Sequence, residues 1–291
     1  MNRATRRAMS RQVAFLALLL VGIFMSTGCQ LLEAETSLSP SGELTVHFID
    51  VDQGDATLLE GPDFTVLIDA GRHDRTDVVP YLQAAGVDRL DLLVGTHPHA
   101  DHIGQMDEVI AQFPVDEVWM SGATHTSKTF ERVVDAILDS EATYYEPRAG
   151  ETFQIGSLRL EVIHPEELPE DLNNGSIVIR AVYGQIVFLF TGDAEKEAEK
   201  EMLERGHVLN AHILHMGHHG SSTSSTPEFV EAVSPEVAIY SAGKDNEYGH
   251  PHQEVLQRLA DLNIPVYGTD QHGTIRVVTD GSTYSVEAER N

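Results

Sequence analysis

The densest group of metal-ligating side chains in the sequence lies at residues 96–102, which read THPHADH and follow an apolar run. Because side chains two residues apart in an extended chain point the same way, His97 and His99 can hold one ion. Asp101 and His102 lie past a turn, where they can face a second ion beside the first. Neutral imidazole and carboxylate are ligands of zinc and similar first-row metals, so this spacing predicts a metal centre.

Two further segments place metal-ligating side chains after apolar strands. The segment FLFTGD ends in Asp193, whose two carboxylate oxygens can bridge two ions, although Gly-Asp after a strand is also a common turn. In the segment HILHMGHHGS, His218 and His219 follow a strand and lie among glycines that allow close backbone approach to a ligand. His212 and His215 lie within the strand or at its end, and we interpret them as structural.

The elements that must position these side chains are short strands with helices between them. Apolar and β-branched runs bounded by Gly, Asp and Pro predict strands before each metal-ligating segment. Apolar residues at helical spacing predict helices, among them 129–140, 194–204 and 253–262. Neither a fixed-period repeat nor a low-complexity tract divides the body of the chain. We therefore expect one α/β domain of two sheets packed face to face with helices outside, a four-layer αββα sandwich.

The composition excludes several classes of protein. The chain has 291 residues with 19 Lys and Arg against 46 Asp and Glu, and a net charge of −27 excludes a basic protein that coats nucleic acid. Cys29 is the only cysteine, so the chain builds neither a disulfide framework nor a thiolate zinc site. Any metal must therefore be held by His and carboxylates. The acidic surplus is typical of a soluble, highly charged surface or a salt-rich environment.

The first 28 residues have the pattern of a signal peptide of the lipoprotein type. Four arginines and no acidic residue accompany an apolar run that is too short to span a bilayer but matches a secretory h-region. The small residues before Cys29 resemble the lipobox of bacterial lipoproteins, with Ser26 where Leu is usual, and we expect Cys29 to carry a lipid anchor. The alternatives are an uncleaved anchor and a signal peptide cut elsewhere. Residues 29–43 are then a tether, and residues 44–291 an exported domain at the extracytoplasmic face of the cell membrane.

The metal-ligating segments, in this order, resemble the metallo-β-lactamase superfamily. The closer resemblance is to the C-terminal, extracellular hydrolase domain of ComEC-type competence proteins. It rests also on the opening HFIDVDQGDA, with Asp52 where that family usually has Gly, and on the segments NNGS and YGHPH. The resemblance spans residues 44–279 and implies the metallo-β-lactamase fold.

The resemblance further implies a site for two divalent ions, Zn or Mn. One member of the His218/His219 pair is expected to bind, and we favour His218 because it comes first after the strand. Many superfamily members have another His where this chain has Asn173 and Asn174, so water or an Asn amide is expected to complete the His97/His99 site. The metal ligands that the resemblance assigns are His97, His99, Asp101, His102, Asp193 and His218 or His219.

Several other side chains are candidates for roles around the ions. Asp50, Asp55 and Asp69 are placed to hydrogen-bond to ligating imidazoles, although solvated or turn carboxylates are equally common. Asp101 is expected to act as a metal ligand or as a base that orients the attacking water. Asp193 is expected to act as the carboxylate that bridges the two ions. His250, in a Gly-His-Pro loop, would contact substrate or protonate the leaving oxygen.

The implied reaction is phosphodiester hydrolysis, with DNA as the first substrate hypothesis. A water or hydroxide that bridges two divalent ions is a good nucleophile at neutral pH, because each ion lowers its pKa. The chain would be a stand-alone nuclease and not a DNA transporter. Its acidity argues against DNA, since DNA binding draws affinity from Lys and Arg. The alternatives are hydrolysis of another anionic ester at the cell surface, such as a phosphorylcholine or wall-polymer phosphodiester, β-lactam cleavage, and a non-catalytic metal-binding lipoprotein.

Overall fold

The computed structural model describes residues 42–290, which form two β-sheets with helices on their outer faces. The strands are β1 (Leu44–Phe48), β2 (Thr57–Glu60), β3 (Thr65–Ile68), β4 (Leu90–Gly95), β5 (Val115–Met120), β6 (Thr143–Tyr145), β7 (Thr152–Ile155), β8 (Leu158–His164), β9 (Val178–Tyr183), β10 (Ile186–Phe190), β11 (Ile213–His215), β12 (Val237–Tyr240), β13 (Val266–Gly268), β14 (Ile275–Thr279) and β15 (Tyr284–Ala288). The α-helices are α1 (Val78–Ala85), α2 (Met106–Gln112), α3 (Lys128–Asp139), α4 (Lys196–Glu204), α5 (Pro227–Val233), α6 (Gln253–Asp261) and α7 (Thr269–His272), and a 3₁₀ turn covers Gly217–Gly220.

The strand order places the ends of several parallel strands together. The first sheet has the order β15-β14-β1-β2-β3-β4-β5-β6, and the second has the order β13-β12-β11-β10-β9-β8-β7. Strands β3 to β6 run parallel in the first sheet, and β10 to β13 run parallel in the second. Because the carboxyl ends of parallel strands meet at one edge of a sheet, the loops after β3 and β4 are neighbours, as are those after β10, β11 and β12.

The two sheets are held together by a core of alternate, inward-facing side chains. Phe48 of the first sheet packs against Phe190 of the second, with ring centroids 6.2 Å apart, and Trp119 of the first sheet packs against Phe153 of the second, with centroids 4.6 Å apart. The side chains of Phe48, Trp119 and Phe190 are almost fully buried. The rings of Phe188 and Phe190 are stacked, with centroids 6.1 Å apart. Strand β10 therefore lies at the centre of the interior, and its end carries Asp193.

The outer face of each sheet is covered by helices. Helices α1, α2 and α3 bury Leu82, Val109 and Val133 against the first sheet. Helices α4 and α5 cover one part of the second sheet, and α6 covers the rest. This arrangement confirms the predicted α/β fold, a four-layer αββα sandwich.

The predicted helices at 129–140, 194–204 and 253–262 are observed as α3, α4 and α6, each shifted or shortened by one or two residues. Cys29, the signal peptide and most of the tether lie outside the described residues. None of the helices in the described part combines the length and the apolar character that crossing a bilayer requires.

Replacing Phe188 by Ala tests the packing between the sheets. Because the Phe188 ring is fully buried, the variant should lose about 3–5 kcal/mol of unfolding free energy, measured by urea denaturation of the full chain. The control is Val208→Ala, at a side chain 61% exposed, which should change the free energy by less than about 0.5 kcal/mol. Equal small losses in both variants would show that the sheets do not pack through Phe188.

Candidate metal centre

The three metal-ligating segments converge at one edge of the sandwich. The segment THPHADH follows β4 of the first sheet. Asp193 follows β10 of the second sheet, and the 3₁₀ turn with His218 and His219 follows β11. These segments line an open cavity of about 330 Å³, which is at the lower end of the range for small-molecule sites.

Asp193 lies at the centre of the group, and its side chain is buried. Its Oδ1 lies 3.1 Å from Nε2 of His102 and 3.7 Å from Nε2 of His219. Its Oδ2 lies 3.5 Å from Nε2 of His97 and 3.8 Å from Nε2 of His218. Each carboxylate oxygen therefore faces its own pair of imidazole nitrogens.

Two sets of ligand atoms share Asp193, and the atoms of each set lie within 4.8 Å of one another. The sets are His97, His99 and Asp193, and Asp55, His102, Asp193 and His219. Each residue of the second set has a buried side-chain atom with no hydrogen-bond partner among the described residues: Asp55 Oδ1, His102 Nε2, Asp193 Oδ1 and His219 Nε2. Since buried polar atoms are normally paired, four such atoms together fit a divalent cation.

A buried carboxylate orients His102. The imidazole Nδ1–H donates to Asp69 Oδ2 at 2.7 Å, which leaves Nε2 toward Asp193. Asp69 is itself fixed, because it accepts hydrogen bonds from the backbone N–H and the hydroxyl of Thr96 at 2.8 Å each. This pairing of a metal-site imidazole with a carboxylate is the role predicted for Asp69.

The two adjacent histidines are oriented by different partners. His219 donates from Nδ1 to the carbonyl of Ser241 at 3.0 Å. His218 has its Nδ1 3.0 Å from Glu195 Oε1. In both residues Nε2 is therefore the atom directed to Asp193, one toward each carboxylate oxygen.

The backbone at these positions is constrained. His218 and His219 both have positive φ, 49° and 57°, which is uncommon for residues other than Gly and clusters at functional sites. Gly192, before Asp193, has a φ of 50°, and a Cβ there would lie 3.0 Å from the side chain of Thr96. Glycine thus lets the end of β10 approach the segment after β4.

The charges in the centre shift the pKa of its groups. Burial alone would raise the pKa of Asp193, but the neighbouring imidazoles, that of His102 foremost, hold it well below its usual range. Burial lowers the pKa of His219, and the carboxylates around it, Asp193 foremost, more than offset this and raise it to about 9. The pKa of His102 is raised well above its usual value against the same burial, by Asp193 and Asp69. The buried carboxylates therefore require positive charge, which protons supply when no cation does.

Asp101 and His250 lie at the open side of the centre. Asp101 is one-third exposed, and its Oδ2 lies 3.4 Å from Nε2 of His219. The ring of His250 lies 5.4 Å from that of His218 and 6.0 Å from that of His219. Partial burial, together with the neighbouring imidazoles, lowers the pKa of His250 to about 4. His250 is therefore neutral at neutral pH.

The two asparagines proposed to complete the His97/His99 site differ. Asn173 lines the cavity, and its buried Oδ1 has no hydrogen-bond partner among the described residues. Asn174 uses its Oδ1 to accept the backbone N–H groups of Glu195 and Ala198, and its Nδ2 donates to Asp171. The amide of Asn174 thus holds the start of α4, and Asn173 is the one that faces the centre.

The structure also separates the three carboxylates expected behind the imidazoles. Asp55 is buried, with its oxygens 3.9 Å from Nδ1 of His102 and of His219. Asp50 is not at the site, because its carboxylate accepts from Arg290 and from the backbone of Asp52. Asp50 therefore matches the alternative, a turn carboxylate, and orients none of the imidazoles.

Sequence reasoning missed the role of Glu195, which comes two residues after Asp193. Its Oε1 lies 3.0 Å from His218, accepts from Thr223 at 2.9 Å and lies 3.4 Å from Nδ2 of Asn173. An acidic residue at the start of an amphipathic helix is common, so its type alone is no signal for this contact.

Comparisons with known proteins agree with this geometry. Residues 49–244 match the family model of the metallo-beta-lactamase superfamily. The chain is 35% identical over 259 residues to ComE operon protein 3 of Bacillus subtilis, covering 82% of this chain and 33% of that protein. It is 32% identical over 244 residues to competence protein ComA of Neisseria gonorrhoeae, covering 81% and 32%. The chain therefore spans about a third of the length of these relatives.

Solved structures support the fold. The metallo-beta-lactamase fold protein YhfI of Bacillus subtilis superposes with a TM-score of 0.55 at 12% identity, over 82% of this chain and 100% of that one. Igni18, a metallo hydrolase of Ignicoccus hospitalis, gives a TM-score of 0.54 at 15% identity, over 80% and 98%. The resemblance to ComEC-type competence proteins is confirmed, and the match over residues 49–244 shows that the chain belongs to the metallo-β-lactamase superfamily.

Proposed function

We propose that the chain is an exported, metal-dependent phosphodiesterase that cleaves DNA. The observation that carries the proposal is the buried carboxylate of Asp193, whose two oxygens each face a pair of imidazoles at an open cavity. Two divalent ions, when bound, supply a nucleophile at neutral pH and neutralise the charge that develops on a phosphate. One relative is named a competence protein, and a role in the uptake of DNA favours DNA as the substrate.

We assign the two ions, Zn or Mn, to the two sides of Asp193. On the Oδ2 side the ligands are His97, His99 and His218, whose Nε2 is 3.8 Å from that oxygen. Asn173, whose Oδ1 has no hydrogen-bond partner among the described residues, lines the same cavity as His99 and His218. The sequence argument favoured His218 over His219, and this assignment uses both.

On the Oδ1 side of Asp193 the ligands are His102 and His219. Asp101 lies between His219 and the open cavity, and the buried Asp55 lies behind His102. Both histidines are buried, and hydrogen bonds from behind fix the orientation of their rings. Such preorganisation favours binding, because little side-chain entropy is lost.

The partly exposed groups at the cavity then act on the substrate. Asp101 has a pKa held below its usual range by His219 and His102 in spite of burial, so it is an anion that accepts a hydrogen bond from the attacking water. His250, neutral at neutral pH, contacts a phosphate oxygen by donating from a ring N–H. The mature enzyme, in this proposal, is held at the extracytoplasmic face of the membrane by lipid on Cys29.

A second candidate is hydrolysis of a smaller anionic ester at the cell surface. The net charge of −27 and the modest cavity favour it over a long polyanion. A phosphorylcholine or wall-polymer phosphodiester would fit the same two-ion chemistry. A non-catalytic metal-binding surface protein is the remaining alternative.

Single substitutions should separate the two ions. We expect His218→Ala and His219→Ala each to lower the metal content by about one ion per chain, and Asp193→Asn to lower it further, because Asp193 serves both sides. Mass spectrometry of the metal in dialysed full chain measures this. His212→Ala is the control, since its ring accepts from the backbone of Val187 and should leave the content unchanged. Loss of both ions in His218→Ala alone would contradict the assignment.

Metal affinity should rise with pH between about 6 and 9. His219 is protonated below its pKa of about 9 in the metal-free protein, so binding must release that proton. Competition with a chelator at several pH values measures the slope, which approaches tenfold per pH unit for each proton released.

The stability of the metal-free protein should show the opposite dependence. The raised pKa of His219 contributes stability below about 6.5, and this contribution is lost as the pH rises toward about 9. Thermal unfolding in EDTA at several pH values measures this stability. A stability that does not fall as the pH rises toward about 9 would contradict this prediction, and a metal affinity that does not vary with pH would show that no proton is displaced when the metal binds.

The central test is cleavage of labelled single-stranded and double-stranded DNA by the full chain with Mn²⁺ or Zn²⁺. His97→Ala and Asp193→Asn should each lower the rate by at least about 100-fold, because each removes part of the charge that stabilises the transition state. His212→Ala should retain activity. Undiminished cleavage in Asp193→Asn would refute the two-ion mechanism.

The same assay separates the alternatives. Hydrolysis of a small phosphodiester without cleavage of DNA would favour the second candidate. Bound metal with no hydrolysis of either substrate would favour the non-catalytic protein.

A further inference from the structure

A second cavity adjoins the metal centre. It measures about 390 Å³ and shares Gln53, Ala100, Asp101 and Tyr248 with the first cavity. The loop at residues 243–250, between β12 and α6, forms its outer wall and brings Lys244 to it. A substrate whose phosphate lies at the metal centre would therefore extend directly into this second cavity.

Tyr248 stands where the two cavities meet. It is 59% exposed, in contrast to most large apolar side chains of the described chain. Its ring is nearly parallel to that of His250, with an angle of 23° and a centroid distance of 5.8 Å. A flat aromatic ring that rests on a second ring and is open to a substrate cavity is suited to stack on a nucleobase.

The loop that carries Tyr248 is held rigid by Asn246. The amide Nδ2 of Asn246 donates to the carbonyls of Gly243 and His250, at 2.8 and 2.5 Å. Its Oδ1 accepts the backbone N–H groups of Tyr248 and His250, each at 3.1 Å. One side chain thus holds the loop by four hydrogen bonds. Because the loop is already ordered, little conformational entropy is lost when a ligand binds at Tyr248.

Gln53 supplies a polar group between the cavities. It is almost fully buried, and its Oε1 accepts the N–H of Gly243 at 3.1 Å. The amide Nε2 has no hydrogen-bond partner among residues 42–290, so it is available to donate to a phosphate oxygen. Lys244 likewise makes no ion pair within the described part of the chain.

The charge of the second cavity limits how it can bind a nucleic acid. Arg72 is paired with Asp74 by two hydrogen bonds of 2.8 Å and also faces Asp52. Two further carboxylates, Asp245 and Glu247, lie beside Lys244. The cavity therefore offers no surplus of positive charge, and stacking must supply most of the affinity for a flanking nucleotide.

We propose that the second cavity is a nucleotide subsite, in which the base next to the scissile phosphate stacks on Tyr248 and the amide of Gln53 donates to the neighbouring phosphate. The proposal rests on the proposed DNA hydrolase function and narrows its substrate. A stacked base must be unpaired, so the subsite selects single-stranded DNA.

The test compares three variants of the full chain in binding and in cleavage. Binding of a fluorescent oligothymidylate of about 12 nucleotides, with phosphorothioate linkages that resist hydrolysis, is measured by anisotropy with Mn²⁺ present. Tyr248→Ala should weaken this binding by about 5- to 150-fold, the range for loss of one base–aromatic stack, and Tyr248→Phe should retain it. Tyr144→Ala is the matched control, because Tyr144 is 49% exposed on β6 and lines neither cavity.

An abasic strand of the same length shows whether the loss is due to the base. It should bind the wild-type chain about as weakly as oligothymidylate binds Tyr248→Ala, and the substitution should cost it little more. Equal losses for both strands would show that the loop, and not stacking, was damaged, and would overturn the proposal. No effect of Tyr248→Ala on oligothymidylate, or no binding of it at all, would overturn it as well.

Salt dependence gives an independent check. One phosphate neutralised on a single strand gives a slope of about −0.7 for log K against log salt, and we expect a slope no steeper than this. A slope several times steeper would mean that charge, and not stacking, carries the binding.

Cleavage with Mn²⁺ distinguishes this inference from the proposed function. Tyr248→Ala should lower kcat/KM for the oligonucleotide far more than for methyl p-nitrophenyl phosphate, which has no base. Tyr248-dependent binding without cleavage would leave the subsite standing and refute the DNA hydrolase function. Cleavage that does not depend on Tyr248 would support the DNA hydrolase function and refute the nucleotide subsite.

Discussion

The burial of one carboxylate, that of Asp193, constrains the rest of the site. A buried charge is costly unless it is paired, and the ion-pair partners of Asp193 within the described residues are all imidazoles. The chain must therefore bring histidines from both sheets to the end of β10. The packed interior between the sheets sets the distance between these histidines. Strand β10 belongs to that interior and leads to Asp193, so the fold and the site depend on the same strand.

The imidazoles can balance Asp193 only if each is held from behind. Asp69, Glu195 and the carbonyl of Ser241 do this for His102, His218 and His219. They come from three different loops, after β3, after β10 and after β12. A change in any of these loops would rotate an imidazole without replacing a candidate metal ligand, and would in this way alter metal binding at the centre.

The sequence was most informative where ligands are close together along the chain. The segment THPHADH follows a strand whose apolar run is plain, so its placement followed from local geometry alone. The choice between His218 and His219 could not be made from local geometry. Both residues adopt positive φ, and the directions of their side chains depend on the turn that Gly217–Gly220 forms. Asp50, Asp55 and Asp69 were equivalent by residue type, and only the path of the chain after β1 distinguished them.

The fold was predictable for a similar reason, but the sequence signal is weak for some of its strands. The alternation that defines the core strands is visible in the sequence, whereas β6 is three exposed residues at the edge of its sheet. Strand β5 begins with partly exposed and charged residues and buries only its last three side chains, so its apolar run is too short to be a clear strand signal. Asn174 shows the limit for single residues, since only the packed structure reveals that its amide holds the start of α4.

The acidity of the chain does not contradict a polyanionic substrate, because the two effects act over different distances. The net charge of −27 repels DNA at long range, where salt screens it beyond about 8 Å at physiological ionic strength. The candidate metal ligands around Asp193 line one cavity and the ring of Tyr248 stands where the two cavities meet, and both act only on contact. Repulsion of this kind slows encounter more than it weakens the bound state, because steering enters the association rate. Such a protein would depend on short-range contacts to hold a strand that its surface does not attract, and an aromatic ring beside the ions meets that need without adding positive charge.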